Sequence, residues 1–192
     1  MSSISIGFVF EKQQNVTETF SELLISLTTN GKMKKLAYSL DKDGDNWEEE
    51  TTFDYSINRI SSIMIDNYFG RITIESVILT NKSITYDVSI SNLANDDFGF
   101  LIEIDIEHLF KVGNKDELES CTKEVIQFCE KIFDRIEYKY SFCDHEAALE
   151  YTWDEFKAMN ENIYSVSIIP KDNIFIVNLT TWEIDGLSSR GK

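Results

Sequence analysis

Residues 71–107, RITIESVILTNKSITYDVSISNLANDDFGFLIEIDIE, carry the clearest structural signal in the chain. They divide into three runs with strand character, which are Arg71–Leu79, Ser83–Ser91 and Phe98–Glu107. In the second and third runs apolar and polar residues alternate strictly. This period of two is typical of a strand with one face on a core and one face in water. The segment therefore predicts an antiparallel meander, with a two-residue hairpin at Asn81-Lys82.

The remainder of the chain adds strands and helices around this meander. Further strands are predicted at Ile4–Phe10, Met33–Leu40 and Tyr138–Phe142, with a final hairpin of Ile163–Ile169 and Asn173–Ile184. Helices are predicted from Asn15 or Thr17 to Asn30-Gly31, over Phe53–Asp66, from Asn114 to about Ile136, and within Asp144–Asn160. We expect an α+β fold, with one long and two or three shorter helices packed on an antiparallel or mixed sheet.

The geometry of the connection between the first two predicted strands depends on whether these strands are neighbours. If Ile4–Phe10 and Met33–Leu40 are parallel neighbours, the helix between them forms a right-handed crossover. The 192 residues contain one proline and no evident linker. One α+β domain over 1–192 is the simplest organisation, and two subdomains, 1–66 and 67–192, are the alternative.

The charge balance restricts the partners of the protein. With 34 acidic and 18 basic residues, the formal net charge is -16. This charge disfavours nucleic acid, whose binding requires Lys and Arg, and it disfavours an anionic membrane surface. It favours a basic protein partner, or else serves only solubility. The oligomeric state is left open.

The three cysteines, Cys121, Cys129 and Cys143, have no repeating spacing, which argues against a disulfide framework. The first two resemble small buried hydrophobic residues, which suits a reducing compartment. No basic segment precedes the first apolar run, and no apolar run approaches the roughly 18 residues of a membrane span. We therefore expect a cytoplasmic protein without signal peptide or membrane anchor.

Two acidic segments are candidate sites. The loop Asp41–Thr51 holds six carboxylates and one lysine, hence a net charge of -5. Its Asp41, Asp43 and Asp45 resemble the start of a calcium loop, but Asn46 and Thr52 occupy the positions where that motif needs Gly and Glu. The second segment is an acidic strand face, which can be a solvated surface, a metal site or a cover for a basic cleft. Its carboxylates are Glu103, Asp105 and Glu107.

Catalytic and cofactor motifs are poorly represented. Cys143 and His145 could share a strand face, but no orienting residue or nucleophile elbow accompanies them. The sequence has no HExxH, no CxxC and no glycine-rich phosphate loop. We expect no enzyme activity, no metal and no cofactor.

Aromatic residues lie beside acidic ones at Trp47, Trp153 and Trp182. Aromatic anchors in a negative field suit an interface with a basic protein, although packing at the rim of the core explains them equally well. The segments ISIGFVFEK (4–12), LAYSLDKDGDNWEEE (36–50) and VSIIPKDNIFIVNLTTWEIDG (166–186) carry a family likeness. Through them, and through the run Tyr38, Ser39, Asp43, Gly44 and Trp47, the chain resembles the small acidic immunity proteins of bacterial polymorphic toxin systems.

The resemblance implies a cytoplasmic antidote that is not an enzyme and that occludes one cognate toxin domain. Many such toxins are nucleases with basic clefts. Charge complementarity then predicts a partner-binding surface on the two acidic segments. Its residues are Asp41, Asp43, Asp45, Trp47, Glu48, Glu49, Glu103, Asp105 and Glu107. The alternative is a small-molecule or metal-binding domain with a pocket between the sheet and the Asn114–Ile136 helix.

Overall fold

A computed structural model describes residues 2–51, 56–67, 69–79, 81–159, 162–172 and 174–191. The strands are β1 (Ser3–Phe10), β2 (Lys32–Ser39), β3 (Trp47–Glu50), β4 (Phe69–Ser76), β5 (Ile84–Asn92), β6 (Phe98–Asp105), β7 (Tyr140–His145), β8 (Val166–Lys171) and β9 (Ile174–Leu179). The helices are α1 (Val16–Thr28), α2 (Ile57–Asp66), α3 (Lys115–Phe133) and α4 (Trp153–Ala158). The described strands form one sheet in the order β3-β2-β4-β5-β6-β1-β7-β8-β9.

The predicted α+β fold is confirmed, and every pair of described strands is antiparallel. The meander is β4-β5-β6, but the predicted two-residue hairpin at Asn81-Lys82 is wrong. Strand β4 ends at Ser76, which pairs with Ile84, so the connection is longer than two residues. The chain leaves the sheet early because Leu79, which is 3 % exposed, turns into the core.

The condition for a right-handed crossover, that the first two strands are parallel neighbours, is not met. Strands β1 and β2 run in the same direction, but β4, β5 and β6 lie between them. The meander therefore occupies the place beside β1 that a simple crossover would have given to β2. Helix α1 crosses this meander. Its buried residues pack on the sheet face that α2 and α3 also cover.

Side-chain caps explain where the two longer helices begin. The Asn15 Oδ1 atom accepts hydrogen bonds from the N–H groups of Thr17 and Glu18, as expected for an N-cap. Asn114 accepts from the N–H of Glu117 in the same way. The Glu117 carboxylate binds the N–H of Lys111, not that of Asn114, so the capping box is only half formed. The helix predicted over Phe53–Asp66 corresponds to α2, and Phe53 lies outside the described residues.

The C-terminal third departs most from the prediction. Asp144 and His145 end strand β7, and the helix predicted within 144–160 is confined to α4, where Thr152 and Glu155 form a capping box. Arg190 joins the C-terminal segment to the body of the sheet. The Arg190 guanidinium lies 3.2 Å from the buried Glu183 carboxylate and donates to the carbonyl oxygens of Ser165 and Thr180.

The hydrophobic core fills one face of the sheet beneath α1, α2 and α3. At its centre the fully buried Phe100 ring lies with its centroid 4.9 Å from that of Phe10 and 5.1 Å from that of Phe20. A smaller cluster lies on the other face, where the segment containing α4 covers β1, β7 and β8. There the rings of Phe142 and Tyr164 stack at 3.8 Å.

We predict that Phe100→Ala lowers the free energy of unfolding by about 3–5 kcal/mol, because it leaves a cavity at the centre of the core. Phe69 is the matched control, because its side chain is 48 % exposed. Phe69→Ala should cost less than about 1 kcal/mol. Urea unfolding of the two variants provides the comparison, and equal losses would contradict this view of the core.

Candidate functional site

Half of one sheet face has none of the described helices over it. Helices α1, α2 and α3 cover the first face, whereas the segment with α4 covers only part of the second. We call the uncovered side of β3, β2, β4, β5 and β6 the open face. Because paired residues of antiparallel strands project from the same side, the strand register identifies the residues of this face. They are exposed or half-buried, and they include Lys35, Glu49, Arg71, Thr73, Asp87 and Glu103.

The predicted acidic loop is the turn between β2 and β3, and Asp41 organises it. The Asp41 carboxylate accepts hydrogen bonds from the N–H groups of Asp43 (3.0 Å), Asp45 (3.1 Å) and Asn46 (2.8 Å). The bond from the Asp45 N–H is the largest of the effects that hold the pKa of Asp41 below its ordinary value. The Asp41 carboxylate is therefore occupied by hydrogen bonds within the loop, whereas the side chains of Asp43 and Asp45 are exposed.

Two aromatic side chains mark one corner of the open face. Trp47 and Phe69 both pair with the buried Ser39, one from each side, and are 46 % and 48 % exposed. The Trp47 indole N–H donates to the Gly44 carbonyl at 2.8 Å, which joins the ring to the acidic loop. The sequence analysis missed Phe69 because the predicted strand began at Arg71. The alternation of Phe69, Arg71 and Thr73 was the available signal.

The glutamates of β3 do not share one face. Glu49 pairs with Ala37 and lies on the open face, where it forms an ion pair with Lys35. Glu48 projects to the opposite side of the same strand. Glu50 also lies on that opposite side, where its carboxylate accepts from the Tyr38 hydroxyl at 3.2 Å.

The predicted row of three carboxylates on β6 is wrong at Glu107. The strand ends at Asp105, and Ile106–His108 form a 3₁₀ turn in which Ile106 is buried. This turn brings one ligand atom each from Asp105, Glu107 and His108 within 4.8 Å of one another. Carboxylate and imidazole groups at this spacing could hold a divalent cation. The sequence analysis did not include His108 in a site.

Glu103 lies in a groove of about 320 Å³ that is lined by residues of β4, β5 and β6, at the β6 side of the open face. Burial raises the pKa of Glu103 above its ordinary value, the negative charge of Asp87 raises it further, and Arg71 opposes the shift. Asp87 is better compensated, because the Thr73 hydroxyl donates to it at 2.6 Å and Arg71 approaches it at 3.6 Å.

The two predicted acidic segments share the open face without touching. Three strands, β2, β4 and β5, separate β3 from β6. At about 4.8 Å per strand, Glu49 and Glu103 are roughly 19 Å apart across the sheet. A ligand that contacts both segments must therefore be a macromolecular surface.

The other candidate chemistry lies away from the open face. Cys143 is fully buried on the core side of β7, and His145 is half-buried. Buried residues of α3 and of the sheet pack together in the core. A groove of about 520 Å³ lies between α3 and the C-terminal edge of the sheet, lined by Lys115 and Lys123 of the helix and by Leu179, Glu183 and Arg190 among others.

We predict that Asp41→Ala disorders the β2–β3 loop, whereas Asp43→Ala leaves it ordered. Hydrogen exchange at the N–H groups of residues 43, 45 and 46 provides the measurement. Because the pKa of Asp41 is lower in the folded chain, its stabilisation is present above about pH 4 and lost as the pH falls through the folded value. The stability difference between wild type and Asp41→Ala should therefore shrink in acid, and a constant difference would contradict this role.

We predict that a thiol reagent at neutral pH labels none of the three cysteines in the native protein. Burial raises the pKa of Cys121 and of Cys129 to about 12, and raises that of Cys143 well above its ordinary value. All three should react after denaturation. Rapid native labelling of Cys143 would instead support a nucleophile.

Comparisons with known proteins now add to this geometry. None of the described helices is long and apolar enough to cross a membrane. No curated protein matches the sequence. Among solved structures, Pseudomonas aeruginosa T6SS protein PA0821 is similar at a TM-score of 0.38 and 11 % identity, over 76 % of this chain and only 40 % of that protein. The sequence profile of Immunity protein 64 matches residues 5–190, so the chain belongs to the Immunity protein 64 family.

Proposed function

We propose that this immunity protein neutralises its cognate toxin domain without catalysis, by laying the open face over a basic surface of the toxin. A nuclease with a cleft for nucleic acid is the toxin class that best fits a net charge of -16. The complex would form in the cytoplasm and occlude the cleft. We also propose that residues 1–192 act as one domain, since β1, from the start of the chain, lies between β6 and β7 in the sheet.

The open face itself is the observation that supports this proposal. It combines an aromatic pair with carboxylates, and hot spots of protein interfaces are commonly buried aromatic anchors within a polar surround. The proposed contacts are Asp43, Asp45, Trp47, Glu49, Phe69, Glu103 and Asp105. Glu107 would lie at the rim, Glu48 projects from the opposite side of β3, and Asp41 would act by shaping the loop.

We predict that the protein co-purifies with the toxin domain encoded by the adjacent upstream gene and protects cells that express it. Binding should weaken as salt is raised from about 0.1 M to 1 M, because exposed charges are screened at high ionic strength. A tight complex that salt does not affect would indicate that most of the binding free energy comes from Trp47 and Phe69. A folded protein that neither binds nor protects would overturn the proposed function.

Matched variants would locate the interface. Trp47→Ala should weaken binding about 30-fold, which corresponds to about 2 kcal/mol. Trp182→Ala is the control, because this tryptophan is 57 % exposed at the other end of the sheet. Glu49→Lys and Glu48→Lys form a second pair, since the two side chains lie on opposite faces of one strand. Equal effects within both pairs would place the interface elsewhere.

A further inference from the structure

The two edges of the sheet differ in their protection against pairing with another chain. Strand β3, at one edge, has four residues, and three of them are the glutamates Glu48, Glu49 and Glu50. Strand β9, at the other edge, has the sequence IFIVNL and contains no charged residue, no proline and no glycine. Because short strands and charged side chains prevent edge-to-edge association, β3 is protected and β9 is not.

The pairing of β9 with β8 shows which backbone groups point away from the sheet. The Thr180 N–H, directly after β9, donates to the Ser165 carbonyl oxygen on the β8 side. Backbone groups of successive residues point to opposite sides of a strand, so those of Phe175, Val177 and Leu179 point away from β8. We call this side of β9 the outer edge, and no described strand lies beyond it.

The C-terminal segment limits the length of the outer edge. The Arg190 N–H donates to the Thr181 carbonyl oxygen, so this segment runs along the outer side of the chain just beyond β9. An added strand could therefore pair with β9 itself but not with Thr181. Along β9 the apolar side chains of Ile174, Val177 and Leu179 are exposed, and such a strand would cover them.

The grooves beside the two ends of β9 carry opposite charge. In the groove of about 520 Å³, at the Leu179 end, cations outnumber carboxylates. Its charged residues are Lys115, Lys123, Arg190, Glu119 and Glu183. In a second groove, of about 640 Å³ at the Phe175 end, carboxylates outnumber cations. Its charged residues are Asp134, Glu137, Asp172 and Lys171. Both grooves include residues of α3, so they lie on the same side of the sheet.

We propose that the outer edge of β9 pairs with the outer edge of a second copy of this chain, antiparallel and across a two-fold axis. Antiparallel pairing brings the Leu179 end of each strand beside the Phe175 end of the other. Each basic groove then faces an acidic groove, and this contact is made twice because both copies use the same surface. A net charge of -16 makes most other surfaces of two copies repel each other.

Two constraints determine the register of this pairing. Hydrogen bonds must come from backbone groups that point outward, and the second strand must stop before the C-terminal segment. Both are met when Ile176 lies opposite Ile176 of the second copy. Phe175 then exchanges hydrogen bonds with Val177 of the second copy, and the aromatic and β-branched side chains form a favourable cross-strand pair. Ile174, the first residue of the second strand, lies opposite Asn178.

The molecular mass of the full chain as a function of concentration tests the dimer. In sedimentation velocity between about 5 and 300 μM, we expect the mass to rise from 22.2 kDa towards twice that value. Val177→Lys places a charge on the outer edge and should raise the dimer dissociation constant at least about ten-fold. Val77→Lys is the matched control, because Val77 is also exposed but directly follows β4, far from β9 in the sheet. This control should dimerise as the wild type does.

A cysteine cross-link tests the register. Ile176→Cys should form a disulfide-linked dimer when oxidised with copper phenanthroline, because opposite Cα atoms of a non-hydrogen-bonded pair are about 4.5 Å apart. Ile174→Cys is the control. Although Ile174 is the more exposed residue, its two copies would lie roughly 13 Å apart along the strands, and cross-linking should be at least about ten-fold slower. The native cysteines are buried and should not compete.

Three results would overturn the proposal. The first is a mass that stays at 22.2 kDa over the whole concentration range. The second is an equal effect of Val177→Lys and Val77→Lys on dimerisation, which would place the contact elsewhere. The third is an equal cross-linking rate for Ile176→Cys and Ile174→Cys, which would indicate random collisions. The cross-linking pair decides the question if Val177→Lys fails to fold.

The dimer goes beyond the proposed function and does not rest on it. Because β9 and β3 lie at opposite edges of the sheet, the open face of each copy stays accessible. Val177→Lys should therefore bind the toxin within about two-fold of the wild type, since distant sites act independently. A dimer that binds no toxin would overturn the immunity mechanism alone, and a monomer that binds the toxin would overturn the dimer alone.

Discussion

The structure depends on burying the apolar side of the two central strands. In the β1–β6 pair, Ile4 faces Ile104, Ile6 faces Ile102, and Phe8 faces Phe100. All six side chains are fully buried beneath the helices. Because successive side chains of a strand alternate between faces, a shift of one residue would expose this whole set to water. The same register therefore determines which residues project from the opposite face.

The opposite face is covered only as far as its apolar residues extend. Along β1, Val9 belongs to the smaller core cluster, and the Phe142 ring lies so close to Gly7 that a Cβ atom there would fall 2.1 Å from it. Ser5 follows at the edge of this cover, and Ser3 already lines the open groove. The boundary between core and surface thus crosses one strand, and the Ser5 hydroxyl, which has no hydrogen-bond partner among the described residues, lies at that boundary.

Local patterns in the sequence predicted the local structure well. The alternation in residues 83–107 identified the meander, and Asn15 and Asn114 marked helix starts, because alternation and capping act between near neighbours. Strand order depends on contacts between distant parts of the chain, such as β1 with β6 and β7, and no local pattern encodes it. For the same reason the sequence could not separate Glu48 from Glu49, since only pairing with β2 determines their faces. The sequence also could not show that the Asp41 carboxylate accepts hydrogen bonds from N–H groups of its own loop.

Net charge alone also could not locate the candidate site, because ion pairs redistribute it. On the open face Lys35 contacts Glu49, Lys32 and Lys34 contact Glu75, and Arg71 contacts Asp87. These cations compensate most of the carboxylates around them, so the acidic composition is nearly balanced over much of the sheet. Among the described residues of this face, the carboxylates outside these ion pairs include Asp43 and Asp45 of the loop, Glu103 and Asp105. Selectivity for a basic partner would therefore come from a few unpaired carboxylates at defined positions, while the total charge acts mainly on the rate of encounter.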